Sequence, residues 1–175
     1  MILGWQKNLP KKFKVVLNSS VIIALAKIGK LELLRKLFGE IVIPTQVYEE
    51  VTRDPTLPGA IEILTANWIK ILQIKNEDLF GELCSEIDVG EAAAIVLAKE
   101  IDADLVILDD KLARKKADLL GLEYMGTIGL LILAKKKGLI KSLKEELIKL
   151  RNKGFWISDA LLWKILKRCR KKNKD

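Results

Sequence analysis

The chain contains no histidine, and that single absence removes much of hydrolytic chemistry. Serine-histidine-aspartate and cysteine-histidine nucleophiles, paired-histidine zinc motifs and histidine acid–base cleavage of RNA all need an imidazole. Only two cysteines occur, Cys84 and Cys169, in no CxxC spacing. Neither a zinc ribbon nor a disulfide framework is supported, and a reducing cytoplasm is the expected setting. No apolar run reaches the length of a membrane span, and Trp5, Gln6, Lys7 and Asn8 interrupt what would be the core of a signal peptide, so no membrane partner is expected. No GxGxxG opens a helix, which removes dinucleotide binding. Proline and glycine are sparse, at 4 and 11 of 175 residues, and no Gly/Ser linker or repeat divides the chain. One domain with a full core is expected.

What is present is half apolar and rich in Lys, Glu, Ile and Leu, a composition compatible with a thermophilic source. The net charge of +8 sits at the two ends. Residues 1–14 carry Lys7, Lys11, Lys12 and Lys14 with no acid, and residues 164–175 carry seven basic side chains against Asp175 alone. The body between them is near neutral. This divides the chain into a basic extension over residues 1–14, a domain over 15–160 and a basic helix or tail over 161–175. Cationic ends attract phosphates without neutralising an acidic pocket, so Lys167, Arg168, Arg170, Lys171 and Lys172 are candidate nucleic-acid contacts. Plain solubility is the alternative.

Short apolar runs alternate with helical periodicity. Strands are expected at residues 15–17, 41–43, 68–74, 105–108 and 122–124. Helices are expected at 19–28 before Gly29, 31–38 before Gly39, 44–54 with Pro44 in the first turn, 58–66, from 89 onward, 111–120 before Gly121, 128–137, 143–153 and 158–170. Residues between 74 and 88 read only as a polar stretch. Strands separated by helices imply a parallel sheet with right-handed crossovers.

Within that pattern, carboxylates fall where apolar elements begin or end. The segment Asp88-Val89-Gly90-Glu91-Ala92 opens a helix that is apolar all round, hence buried, and an ionisable group at its start must be paired, hydrated or bound to a cation. Asp109 and Asp110 follow the strand at 105–108, at the sheet edge where open α/β folds bind ligands. Glu50 shares a helical face with Val47 and Val51, and is the inward acid of Glu49-Glu50. Each position has a structural alternative. Glu50 pairs with Arg53 on a helix surface, Glu91 complements a helix dipole, and Asp110 caps a helix.

Together these segments resemble the PIN-domain family. The resemblance is carried by Val15-Val16-Leu17-Asn18-Ser19-Ser20, by Ile43-Pro44 with Val47-Tyr48-Glu49-Glu50-Val51, by Asp88-Val89-Gly90-Glu91-Ala92 and by Leu108-Asp109-Asp110-Lys111-Leu112-Ala113-Arg114. Gly126-Thr127-Ile128-Gly129-Leu130 and Lys137-Gly138-Leu139-Ile140 look like an archaeal and bacterial branch, related to the ribonuclease toxins of toxin-antitoxin pairs.

The resemblance implies a three-layer α/β/α fold with a central parallel sheet, and acids that hold Mg²⁺ or Mn²⁺ for RNA cleavage. Glu50 matches the second acidic position, Glu91 the third and Asp110 the fourth, with Asp109 and Asp88 as auxiliaries. Where the family has aspartate at the end of the first strand, this chain has Asn18, a weakened ligand, followed by Ser20, which is placed to orient a water. Arg114 would steady Asp110 or contact phosphate. Without histidine, the bound ion would supply the hydrolytic water, and cleavage would leave a 5′-phosphate. The implied partners are RNA, an antitoxin-like protein and a second copy of the chain. Asn18 also supports a rival, a PIN-like module that binds RNA or protein without catalysis, or a plain helix cap. A phosphoacceptor receiver lacks its early acidic pair here, and a topoisomerase-primase site wants Asp-x-Asp after a strand, whereas Asp102-Ala103-Asp104 precedes one.

Overall fold

Apolar runs too short to hide themselves become the strands of one sheet. In the computed structural model, which describes residues 13–171, these are β1 (Val15–Leu17), β2 (Ile41–Pro44), β3 (Ile69–Leu72), β4 (Leu105–Ile107) and β5 (Tyr124–Met125). All pair in parallel, in the order β3-β2-β1-β4-β5. The helices are α1 (Ser19–Lys27), α2 (Glu32–Phe38), α3 (Thr45–Thr52), α4 (Ala60–Thr65), α5 (Glu77–Cys84), α6 (Val89–Glu100), α7 (Lys111–Leu119), α8 (Thr127–Lys136), α9 (Leu143–Asn152) and α10 (Asp159–Lys171).

Successive strand residues point to opposite faces, and the core divides accordingly. Val15, Leu17, Ile41, Ile43, Leu105 and Ile107 pack with α1, α2, α8 and α9 on one face. Val16, Val42, Val106 and Leu108 pack with α6 and α7 on the other, joined by Leu83 of α5. Helices therefore cover both sides of an all-parallel sheet, the three-layer α/β/α arrangement. The most deeply enclosed helix is α6, buried continuously from Gly90 to Ala98, as expected of a helix apolar on every side.

The structure departs from the sequence expectations at three places. Pro44 ends β2 and precedes α3 in extended conformation, because the strand keeps pairing as far as Pro44 opposite Leu72. The polar stretch before Asp88 contains α5, and the last strand lies at 124–125 rather than 122–124 because β4 pairs Val106 with Tyr124 and Ile107 with Met125.

Near the far end, α10 docks on the first core through Ile165, and Arg151 Nη1 donates to Asp159 Oδ1 at 2.5 Å, tying α9 to it. Glu146 of α9 is buried and meets the ammonium groups of Lys30 and Lys149, each at 3.4 Å. Among the described residues no helix is long and apolar enough to cross a membrane.

Candidate active site

The chain lays β1, β2 and β3 outward in one direction, then returns to place β4 and β5 on the other side of β1. The reversal opens a crevice at the carboxyl ends of β1 and β4, where open α/β sheets bind ligands. Asn18 directly follows β1, and Leu108-Asp109-Asp110 follow β4, whose Ile107 is in register with Leu17. The amino end of α6 brings Asp88 and Glu91 to the same region, and α3, packed against α6, brings Glu50.

A cavity of about 560 Å³ is lined by Asn18, Ser20, Glu50, Asp88 and Glu91, and also by Lys27, Lys153 and Phe155. The amide of Asn18 is nearly inaccessible, and its Oδ1 accepts hydrogen bonds from the Val21 backbone N–H at 3.3 Å and the Ser20 hydroxyl at 3.1 Å. Asn18 is thus the N-cap of α1 as well as a wall of the cavity. The Ser20 hydroxyl donates its proton to Asn18, and the residue is exposed at the cavity.

Glu91 is 9% exposed. Burial, followed by the negative charges of Asp110, Asp88 and Asp109, pushes its carboxyl up to about 7, against a smaller opposing effect from the Asp88 backbone N–H. That N–H contact is half of an N-terminal capping box. The other half is absent, since the Asp88 side chain makes no cap bond.

Glu50, expected on the inward face, is exposed instead. Val47 and Val51 fill the buried stripe of this two-turn helix, and Glu50 flanks it. Its carboxylate nevertheless turns to α6: a Cβ built at Gly90 would lie 2.9 Å from Glu50 Oε2.

Asp110 caps α7, with Oδ1 accepting from the Leu112 and Ala113 N–H groups at 2.7 and 2.8 Å. It lines a neighbouring groove with Lys111, Arg114 and Tyr124 rather than the cavity itself, and reaches Glu91 through its charge. Asp109 is more enclosed. Burial raises its carboxyl while Thr127, through its backbone N–H at 2.8 Å and its hydroxyl at 2.5 Å, and then the Arg114 charge hold it down. Arg114 donates to the carbonyls of Asp109 at 2.9 Å and Asp110 at 3.3 Å, so it clamps the backbone of the turn, not a carboxylate.

Among the described residues no three acidic side chains form a ready-made ligand cage. The donor set is all oxygen, however, and Asp110 Oδ2 makes no hydrogen bond among the described residues. A hard cation that keeps most of its water and binds one or two carboxylates fits such a site.

Sequence reasoning quoted Gly90 and Thr127 within its motifs but gave them no role at the site, and it missed the lysines of the cavity. Of these, only Thr127 has a local signal, a small polar residue opening a helix inside a glycine-flanked segment. Of the basic residues near the carboxyl end, Lys167 and Arg168 are exposed on α10, with the Lys167 ammonium 4.8 Å from the centre of the Trp163 ring. The side chains of Arg170 and Lys171, all of Lys172 and residues 1–12 lie outside the described residues.

Comparison with curated proteins finds no match. A family model described as a PIN domain matches residues 14–171. Since that span takes in every strand and helix of the sheet and its two covering layers, the chain belongs to the PIN-domain family.

Proposed function

We propose that this member of a nuclease-like family is a Mg²⁺- or Mn²⁺-dependent endoribonuclease, slowed by asparagine at its first acidic position. The observation that carries the reading is Glu91. A carboxyl buried at a helix start, beside Asp110, Asp88 and Asp109, is held where ionisation is opposed by like charge, and a divalent cation relieves that opposition.

In this reading Glu91 and Asp110 would hold the ion, with Glu50 and Asp88 reaching it through water. When bound, the ion supplies a hydrolytic water of lowered pKa and charge to stabilise the crowded phosphorus. The chain's own part is to position and to shield. The α7 N–H groups and the Arg114 clamp hold the Asp109-Asp110 turn rigid, and Thr127 keeps Asp109 from swinging away. The absence of a side chain at Gly90 lets Glu50 approach α6.

Asn18 favours a second reading, a PIN module that binds RNA without cutting it. Its Oδ1 is already engaged by Val21 and Ser20, and an amide contributes no charge to a metal site. Incubation of end-labelled single-stranded RNA with Mg²⁺, Mn²⁺ or excess chelator separates the two. Metal-dependent cleavage that leaves 5′-phosphates, lost in Glu91→Gln, is expected. Cleavage that persists in chelator rejects the metal mechanism, and binding without cleavage in both Asn18 and Asn18→Asp proteins favours the module.

A further inference from the structure

The cavity has a cationic, aromatic end for which the proposed chemistry has no use. Ser20, Ile23, Ala24 and Lys27 line it at i, i+3, i+4 and i+7, so α1 lays one face along the cavity from the carboxylates toward Lys27. Ser20 and Lys27 are roughly 10 Å apart at the helical rise. Lys153, Gly154 and Phe155 also line the cavity.

This end is a built structure. Gly154 adopts a φ of +93°, a turn that brings its N–H to the Arg151 carbonyl at 3.0 Å and the Phe155 N–H to the Leu150 carbonyl at 3.1 Å. The Lys27 ammonium donates to the Lys153 carbonyl at 3.5 Å, joining the end of α1 to the end of α9. Among the described residues neither ammonium has a carboxylate partner. Phe155 is half-buried, and Trp156 beside it in the chain is 81% exposed.

Two cations without carboxylate partners, in a cavity that Phe155, itself packed against the core, also lines, match a phosphate joined to a flat base. The nearby carboxylates disfavour an acidic protein segment. A base can stack on a side chain only when it has left its own duplex, so the matching polymer is single-stranded.

We infer that Lys27, Lys153 and Phe155 form a nucleotide subsite for single-stranded RNA, adjoining the position of the scissile phosphate. This rests on the nuclease reading above and adds which residues hold the strand beside the acids and from which end of the cavity. The two lysines receive a backbone phosphate, and Phe155 stacks the base attached to it.

The test is fluorescence anisotropy of a labelled single-stranded oligoribonucleotide across a salt series in chelator, where no metal-dependent cleavage intervenes. The double variant Lys27→Gln/Lys153→Gln is compared with Lys36→Gln/Lys144→Gln, which removes the same charge from exposed positions outside the cavity. Losing the neutralisation of that one phosphate should weaken binding about tenfold and reduce the salt slope by about 0.7, and the control pair should do neither. Phe155→Leu should weaken binding about fivefold or more, and Phe155→Trp should restore it, which separates lost stacking from lost folding. Equal losses in the two lysine pairs overturn the subsite while leaving the nuclease reading in place. So does equal binding of a blunt duplex together with an indifferent Phe155→Leu. If the wild-type chain binds no RNA at any salt concentration, the nuclease reading falls and the subsite with it.

Discussion

The Glu50 carboxylate occupies the space where a side chain at position 90 would begin, 2.9 Å from an ideal Cβ built on Gly90. Gly90 is the second residue of α6, where the advantage of alanine over glycine is smaller than the ~1 kcal/mol of a helix interior. In Gly90→Ala any such gain is set against displacement of Glu50 and a smaller shift of the Ser19 hydroxyl at 3.3 Å, while the Val47 methyl at 3.7 Å stays in ordinary contact. Stability measured by urea unfolding should change by less than about 1 kcal/mol. Metal-dependent cleavage should fall well beyond what that small change explains. Unaltered cleavage in a folded Gly90→Ala protein would remove Glu50 from the site.

Glu91→Gln should raise the stability of the metal-free protein, and only at higher pH. The Glu91 carboxyl is held at about 7 in the fold against an ordinary value of 4.5, so the native state keeps a proton that the unfolded chain gives up. Native stability is therefore lost as pH rises from 4.5 through 7. Glutamine keeps the contact with the Asp88 N–H and escapes this loss. Above pH 7 the variant should be more stable by on the order of 1–2 kcal/mol once solvent screening is counted. Below pH 4.5 the two curves should converge. Denaturant melts in chelator across this range would show it, and parallel curves at every pH would contradict the assignment.

Asn18→Asp adds a charge without altering shape or the capping of α1, since aspartate caps as well as asparagine. In chelator the extra carboxylate beside Glu91 should lower the melting temperature. Mn²⁺ should more than restore it, by about 2.7 kcal/mol at a hundredfold excess over its Kd, and cleavage should rise in parallel. A variant whose melting temperature ignores Mn²⁺ would show that Asn18 stands outside any metal site.

Thr127→Val conserves volume and deletes the hydroxyl that donates to Asp109 Oδ2 at 2.5 Å. A buried carboxylate deprived of a donor should cost about 1–3 kcal/mol at pH values above its folded pKa. The Asp109 carboxyl should titrate higher still in the variant, so the deficit should shrink as pH falls through its folded value, where the protonated form needs no donor. A pH-independent deficit would mean that Thr127 acts through packing alone.

Strands β1, β2 and β4 were legible because each is an unbroken apolar run, and α6 because Ala92 through Ala98 carry no charge on any side, whereas β5 is only two residues long and was expected two residues early. Helix α5 was not legible, because Gly81 and three acids interrupt its eight residues and it buries only Leu83, a stripe too narrow to register as a period. The depth of Glu50 was equally hidden. Periodicity orients a residue about its own helix axis, whereas its exposure depends on where α6 passes. Lys27 and Lys153 are 126 residues apart, and only the folded chain shows that they line one cavity.

The pairing of β1 with β4 joins Val15 to Leu105, so the crevice between them does not exist until 90 residues of intervening chain have been closed into a loop. Asn18 follows β1 and Asp110 follows β4. On a ribosome, a nascent chain that has yet to release β4 presents Asn18 and Glu50 with no partner across the sheet. This strand order keeps the site residues at the ends of β1 and β4 apart until most of the domain has emerged.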